Sequence, residues 1–210
     1  MPAAKAPTMT DDAGLTGEPP EERGFDYART VALSDGVFAI ALTLLVLGIS
    51  FPELASNRHG EIGRQLLDRR GEIGTYALSF AVIALLWVRH HSFMRGLEVI
   101  DTRITLLNLA YLGFVAFLPY PTHILGAYGD EPASVVLYAI TCGIVASLGA
   151  LMRLHAERAH LLSPLGTAVV ARREHWAITP AVFFASIPIA FATPTGAKFC
   201  WLLPLLARRR

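Results

Sequence analysis

Residues Arg29 to Ile49 read RTVALSDGVFAIALTLLVLGI, an apolar run broken near its start by one carboxylate, Asp35. Crossing a hydrocarbon core of about 30 Å takes roughly 20 mainly apolar residues in a helix, and runs of that length recur. Spans are expected at Tyr27–Ile49, Ile73–Met94, Thr102–Leu125 and Ala133–Leu154. The first ends at Ser50-Phe51-Pro52, and the polar stretch from Ser56 to Arg70 reads as a loop or surface helix. The third contains Pro119-Tyr120-Pro121, a kink whose freed carbonyls must find partners inside the protein. Between His175 and Leu206, Pro180, Pro188 and Pro194 cut the apolar stretch into pieces. Two further spans are expected there, turning at Ala192–Gly196 and ending in a short helix, with a single re-entrant unit as the other arrangement. The fold class is all-α, a polytopic membrane protein with six transmembrane helices.

In the first span, Ile40, Leu44 and Leu47 follow at i, i+4 and i+7, so at about 100° per residue they share a face that Asp35 does not. An aspartate in a span costs about 2.5–3.5 kcal/mol at the helix centre and less toward an end, so Asp35 is expected to face protein or water. Candidate partners are Ser34 and Arg29 on the same span, Trp87, His90 and His91 on the second, and Asn108 on the third. Hydroxyl, indole N–H, imidazole and amide together offer enough donors to hold a carboxylate, which points to an interhelical polar network. The sharper alternative is a proton relay through Asp35 and a histidine. His90 and His91 point about 100° apart on a helix, so no metal site is expected from them. His155, His160 and His175 read as solvated loop residues.

Composition strengthens the membrane reading. Of 210 residues, 53% are hydrophobic and 17% charged, and the mean hydropathy is +0.46, too apolar for an ordinary soluble domain. The net charge of +1 comes with scattered basic residues, which argues against a nucleic-acid partner. No nucleophile elbow, glycine-rich phosphate loop or HExxH helix is present, so no enzymatic activity and no bound cofactor are expected. Cys142 and Cys200 lie in apolar segments and read as packing residues. Residues 1–26 have the composition of a disordered cytoplasmic tail, residues 27–207 form one six-helix membrane domain, and residues 208–210 are a basic end. Arg153, Arg158, Arg172 and Arg173 in one loop and Arg208 to Arg210 at the end place both termini in the cytoplasm of a cell inner membrane. The arginines of the first loop, Arg58, Arg64, Arg69 and Arg70, run against that bias and are partly offset by Glu53, Glu61, Asp68 and Glu72.

The pattern Arg29-x-x-x-Leu33-Ser34-Asp35, followed by GVFAIALTLLVL, resembles the start of the transmembrane protein 175 family of potassium channels. Trp87-x-x-His90-His91, then Asn108, then Pro119-x-Pro121-Thr122 resemble the second and third helices of that family in the same order. The resemblance implies a homotetramer in the lipid bilayer whose first helix lines a central pore. It implies that Ile40, Leu44 and Leu47 form the aliphatic constriction, that Thr43 presents a pore-facing hydroxyl, and that the Ser-Asp, His, Trp and Asn residues hold helices together behind the pore. Leu33 stands where the family usually has phenylalanine, a departure that bears on local packing. The expected activity is potassium-preferring cation conduction, weakly selective over sodium, through an aliphatic constriction spanning roughly 10 Å rather than a carbonyl filter. The main rival is a proton-coupled secondary transporter using Asp35 and His90 or His91.

Overall fold

The computed structural model describes residues 20–50, 61–164, 166–167 and 177–203. The described residues are helical almost throughout, in the order α1 (Pro20–Leu44), a 3-10 turn (Leu45–Gly48), α2 (Glu61–Asp68), α3 (Arg70–Met94), α4 (Thr102–Phe117), α5 (Pro119–Ala127), α6 (Pro132–Arg158), α7 (Ile178–Ala192) and α8 (Pro194–Cys200). Four stretches are long and apolar enough to cross a membrane: Tyr27–Gly48, Arg70–Met94, Thr102–Ala127 and Pro132–Arg158. This is a multi-pass membrane protein, with its four expected long spans placed to within a few residues.

Three differences have physical causes. α1 begins at Pro20, whose fixed φ suits the first helical position, so its first two turns take in the end of the segment expected as tail. The rest of that tail, residues 1–19, lies outside the described residues, as do His175 and the basic end at 208–210. Pro188 does not divide the chain but sits inside α7, where the Ser186 hydroxyl donates to the Phe183 carbonyl at 2.6 Å. With 15 residues α7 is about 22 Å long, shorter than a full crossing, and α8 has 7 residues. The two last members of the expected six spans correspond to these shorter helices.

The break between α4 and α5 follows from Pro119, which has no N–H to give the Val115 carbonyl. Leu118 N–H supplies it instead at 3.1 Å, and Thr122 closes the next turn by donating its N–H and its hydroxyl to the Leu118 carbonyl at 3.1 and 2.9 Å. The packing centre is α6. A Cβ on Gly143 would lie 2.7 Å from the Phe184 ring, so the glycine lets that ring of α7 lie directly on α6. Tyr138 stacks on Trp201 at 4.7 Å, and the Trp201 indole N–H donates to Ser186 Oγ at 2.8 Å.

At the other end of α6, His160 takes a left-handed φ of 55°. Leu161 N–H reaches back to the Ala156 carbonyl at 2.9 Å and His160 N–H to that of Glu157 at 3.4 Å, a Schellman ending. The chain then runs antiparallel to the α3–α4 loop, with Glu98 N–H donating to Leu161 and Ser163 N–H to Gly96. His155 is not a solvated loop residue, because α6 extends to Arg158 and holds its Nε2 2.6 Å from Asp101 Oδ2. Asp101 also caps α4 by accepting from Ile104 N–H at 2.7 Å. Burial acts to raise the Asp101 pKa, but the hydrogen bonds from His155 and Ile104 and the charges of His155 and Arg103 hold it below the ordinary carboxylate value.

Candidate functional site

α1 buries one face and leaves another uncovered. Phe38, Ala41 and Leu45 are each 1% exposed, against α3, α4 and α5. Ile40, Leu44 and Leu47 are 59%, 41% and 69% exposed, although all three are large aliphatics. The 3-10 turn changes their register. At about 3 residues per turn Leu47 eclipses Leu44, and the steeper rise stretches the Ile40-to-Leu47 row to about 12 Å. Thr43 lies exposed on the same side and donates its hydroxyl hydrogen to the Ile40 carbonyl at 2.9 Å. The oxygen lone pairs are then what this hydroxyl has left to offer.

Behind this face polar side chains of α1, α3 and α4 pair in two branches. In the buried branch His90 Nε2 lies 2.8 Å from Asn108 Oδ1, which as an acceptor requires the hydrogen on Nε2. Asn108 Nδ2 donates to Ser34 Oγ at 3.2 Å, and Ser34 donates to the Thr30 carbonyl at 2.8 Å. His90 stacks on Tyr111 at 4.9 Å and tilts against Phe38 at 5.7 Å, so the chain of donors is enclosed by aromatic rings. In the other branch the Trp87 indole N–H donates to Asp35 Oδ1 at 2.9 Å, and His91 Nδ1 is 3.8 Å from the same oxygen. The Asp35 side chain is 43% exposed, because it sits on the boundary between the packed and the uncovered faces of α1. Arg29 stands exposed earlier on the same helix.

Sequence reasoning missed several polar groups around this site. Tyr27 donates its hydroxyl to the Met94 carbonyl at 2.8 Å, tying the start of the first span to the end of α3. Arg89, inside α3, bonds the Thr179 hydroxyl across to α7, beside a pocket that His90 and Tyr111 also line. An arginine within an apolar span is a signal legible from sequence; its partner on α7, ninety positions away, is not. Among the described residues no group of three or more histidine, cysteine or acidic side chains converges to hold a metal ion.

The model of the endosomal/lysosomal potassium channel TMEM175 family matches residues 29–119, which take in α1 from Arg29 onward, α3 and α4, with both branches. A potassium channel of Streptomyces collinus is 32% identical over 181 residues, covering 80% of this chain and 87% of the relative. The chain belongs to the TMEM175 family. A chicken relative, Gallus gallus endosomal/lysosomal proton channel TMEM175, is 28% identical over 57% of this chain, which spans about a quarter (24%) of that relative. The crystal structure of a lysosomal potassium-selective channel TMEM175 homologue from Chamaesiphon minutus superposes with a TM-score of 0.73 at 24% identity, covering 86% of this chain and 95% of the homologue, and so shares the fold. In this TMEM175 chain, then, the aliphatic face and the two polar branches both fall inside the segment that defines the family.

Proposed function

We propose that this protein is a cation channel that prefers potassium to sodium, built from four copies around a common axis with α1 of each copy lining the conduit. The observation that carries this reading is the uncovered aliphatic face of α1. Ile40, Leu44 and Leu47 are large aliphatics left uncovered by the subunit on a helix whose opposite face, Phe38, Ala41 and Leu45, is fully packed. Brought together by symmetry, they make successive oily rings in which an ion must shed water. Sodium holds its hydration shell more tightly, so dehydration there costs it more and potassium passes preferentially. Thr43, with its hydrogen committed to the helix, offers oxygen lone pairs to an ion between the rings. The two polar branches keep α1, α3 and α4 in register behind the rings, and α7 and α8 complete the membrane domain. The arginine distribution supports an inner-membrane channel with both termini in the cytoplasm.

Planar-bilayer recording of purified protein in opposed potassium and sodium gradients, with particle size measured in detergent, tests conduction and assembly together. Current linear in driving force, with a reversal potential favouring potassium, is expected from a tetramer-sized particle. Saturating transport that depends steeply on pH supports the second reading, a proton-coupled carrier. The observation favouring that reading is the half-exposed Asp35 beside His91. His90 is the poorer candidate for such a carrier, since its Nε2 hydrogen is held by Asn108.

A further inference from the structure

The end of the first span is gripped by two side chains that neither the rings nor the polar branches use. After the 3-10 turn, Ile49 N–H returns to the Val46 carbonyl at 3.1 Å, and the chain leaves the helix extended. The Gly48 carbonyl then faces His123 of α5, whose Nδ1 lies 3.2 Å away. A carbonyl only accepts, so Nδ1 carries the hydrogen. Ser50 N–H donates to Glu72 Oε2, in the first turn of α3, at 2.8 Å, while Glu72 Oε1 lies 3.7 Å from Arg69 Nη1. The three elements lie in van der Waals reach of one another: a Cβ at Gly126 would sit 3.7 Å from the Glu72 Cα, and one at Gly48 would sit 3.5 Å from His123 Nδ1.

We propose that Glu72 and His123 are positioning residues for the ring nearest the end of the span, clamping Gly48 and Ser50 so that Leu47 stays at a set distance from the axis. This rests on the pore reading above. Leu47 is 69% exposed, so little packing of its own holds it. The turn that carries it is a 3-10 helix of 4 residues, whose hydrogen bonds are poorer than α-helical ones and whose terminal groups need outside partners. With the clamp made, Leu47 inherits its position from α3 and α5, and a shift of either helix moves the ring. Ile40 lies on the α-helical part, backed by the core at Phe38 and Ala41, and is independent of the clamp.

The test uses the full chain in vesicles, in a background carrying Cys142→Ala and Cys200→Ser. Leu47→Cys and Ile40→Cys are each exposed to a charged, membrane-impermeant thiosulfonate, and potassium current is recorded. His123→Ala and Glu72→Ala are expected to raise the modification rate at Leu47→Cys by about threefold to tenfold, the equivalent of one net hydrogen bond. The rate at Ile40→Cys should not move. His123→Asn, which restores an N–H donor, and Glu72→Gln, which restores an acceptor, should bring the Leu47→Cys rate back to the parent value. Both positions lie outside the buried core, so assembled protein is expected, checked by its size in detergent. Alanine variants that assemble and keep the parent rate at Leu47→Cys overturn the clamp while leaving the pore in place. Modification at Ile40→Cys that leaves the current untouched overturns the pore reading and takes the clamp with it.

Discussion

α1 and α6 are both apolar along their whole spans, yet 22% of the first span window is buried inside the subunit and 56% of the second. Hydropathy does not separate them, since the two spans are about equally apolar. Side-chain size does. The packed face of α6 intersperses Ala139, Cys142, Gly143, Ala146 and Gly149 among larger residues such as Tyr138, Val145 and Met152, and the small ones let neighbouring helices come close. The free face of α1 presents Ile40, Leu44 and Leu47, bulk that finds no groove to fill within its own chain. Within a bilayer, lipid is as apolar as leucine, so a helix gains from burial through close fit and polar pairing rather than through removal from water. α6 uses fit on most of its surface, whereas α1 is held by Phe38, Ala41, Leu45 and polar pairing on one face and is left with an aliphatic face to spare.

The contrast breaks most readily at Gly143. Gly143→Leu would drive a side chain into the Phe184 ring and push it off α6, and overpacking of this kind is expected to cost about 1–3 kcal/mol. Recovery of assembled protein from membranes should collapse, and normal yield with an unchanged melting temperature would contradict the packing account. Next comes the lock on α1. Asn108→Ala strands both the His90 Nε2 hydrogen and a Ser34 lone pair, at about 1–3 kcal/mol for each buried group left unpaired. Asp35→Ala should cost less, because its half-exposed branch leaves the Trp87 indole room to find another acceptor. Comparing thermal stability of the two variants in detergent checks that order, and a larger loss for Asp35→Ala would reverse it.

On the uncovered face the expectation inverts. Ile40→Asn should leave assembly and melting temperature as they are, while raising conductance several-fold and weakening potassium preference by wetting the ring, read by bilayer recording. Flux unchanged in both rate and ion ratio would show that this face does not border the conduit. The smallest effect belongs to Asp101. Its folded-state pKa is depressed, so its ionised form adds stability that is present above the unfolded carboxylate value and lost as pH falls through the folded one. Acid melting curves of Asp101→Asn should therefore lack one increment of acid destabilisation. Curves that track the parent at every pH would remove the His155 pairing as its source.

The four long spans were readable because length and apolarity are the strongest constraint a bilayer imposes, and Pro119 marked its break in advance. The types of the polar side chains were readable too, but their wiring was misread as one network. Ser34 with Asp35, and His90 with His91, are adjacent on their helices and diverge by about 100°. The same divergence that denies the two histidines a shared metal sends Ser34 and His90 inward to Asn108, and Asp35 and His91 outward to Trp87. Pairings between distant segments left no local trace. Asp101 caps α4, and nothing near it in the sequence announces His155, fifty-four positions away. Pro188 misled for the opposite reason, a strong local signal overridden once α7 was packed against α6.

His160 gives the molecule a practical handle. It occupies a left-handed backbone position that L side chains adopt at a cost of roughly 1–2 kcal/mol and glycine adopts without steric penalty. Much of that difference returns as extra freedom of a glycine in the unfolded chain, so His160→Gly should harden the protein by at most about 1 kcal/mol, a gain of a few degrees on melting. The exchange lies outside both polar branches and the aliphatic face of α1, and would furnish a sturdier specimen for electron microscopy.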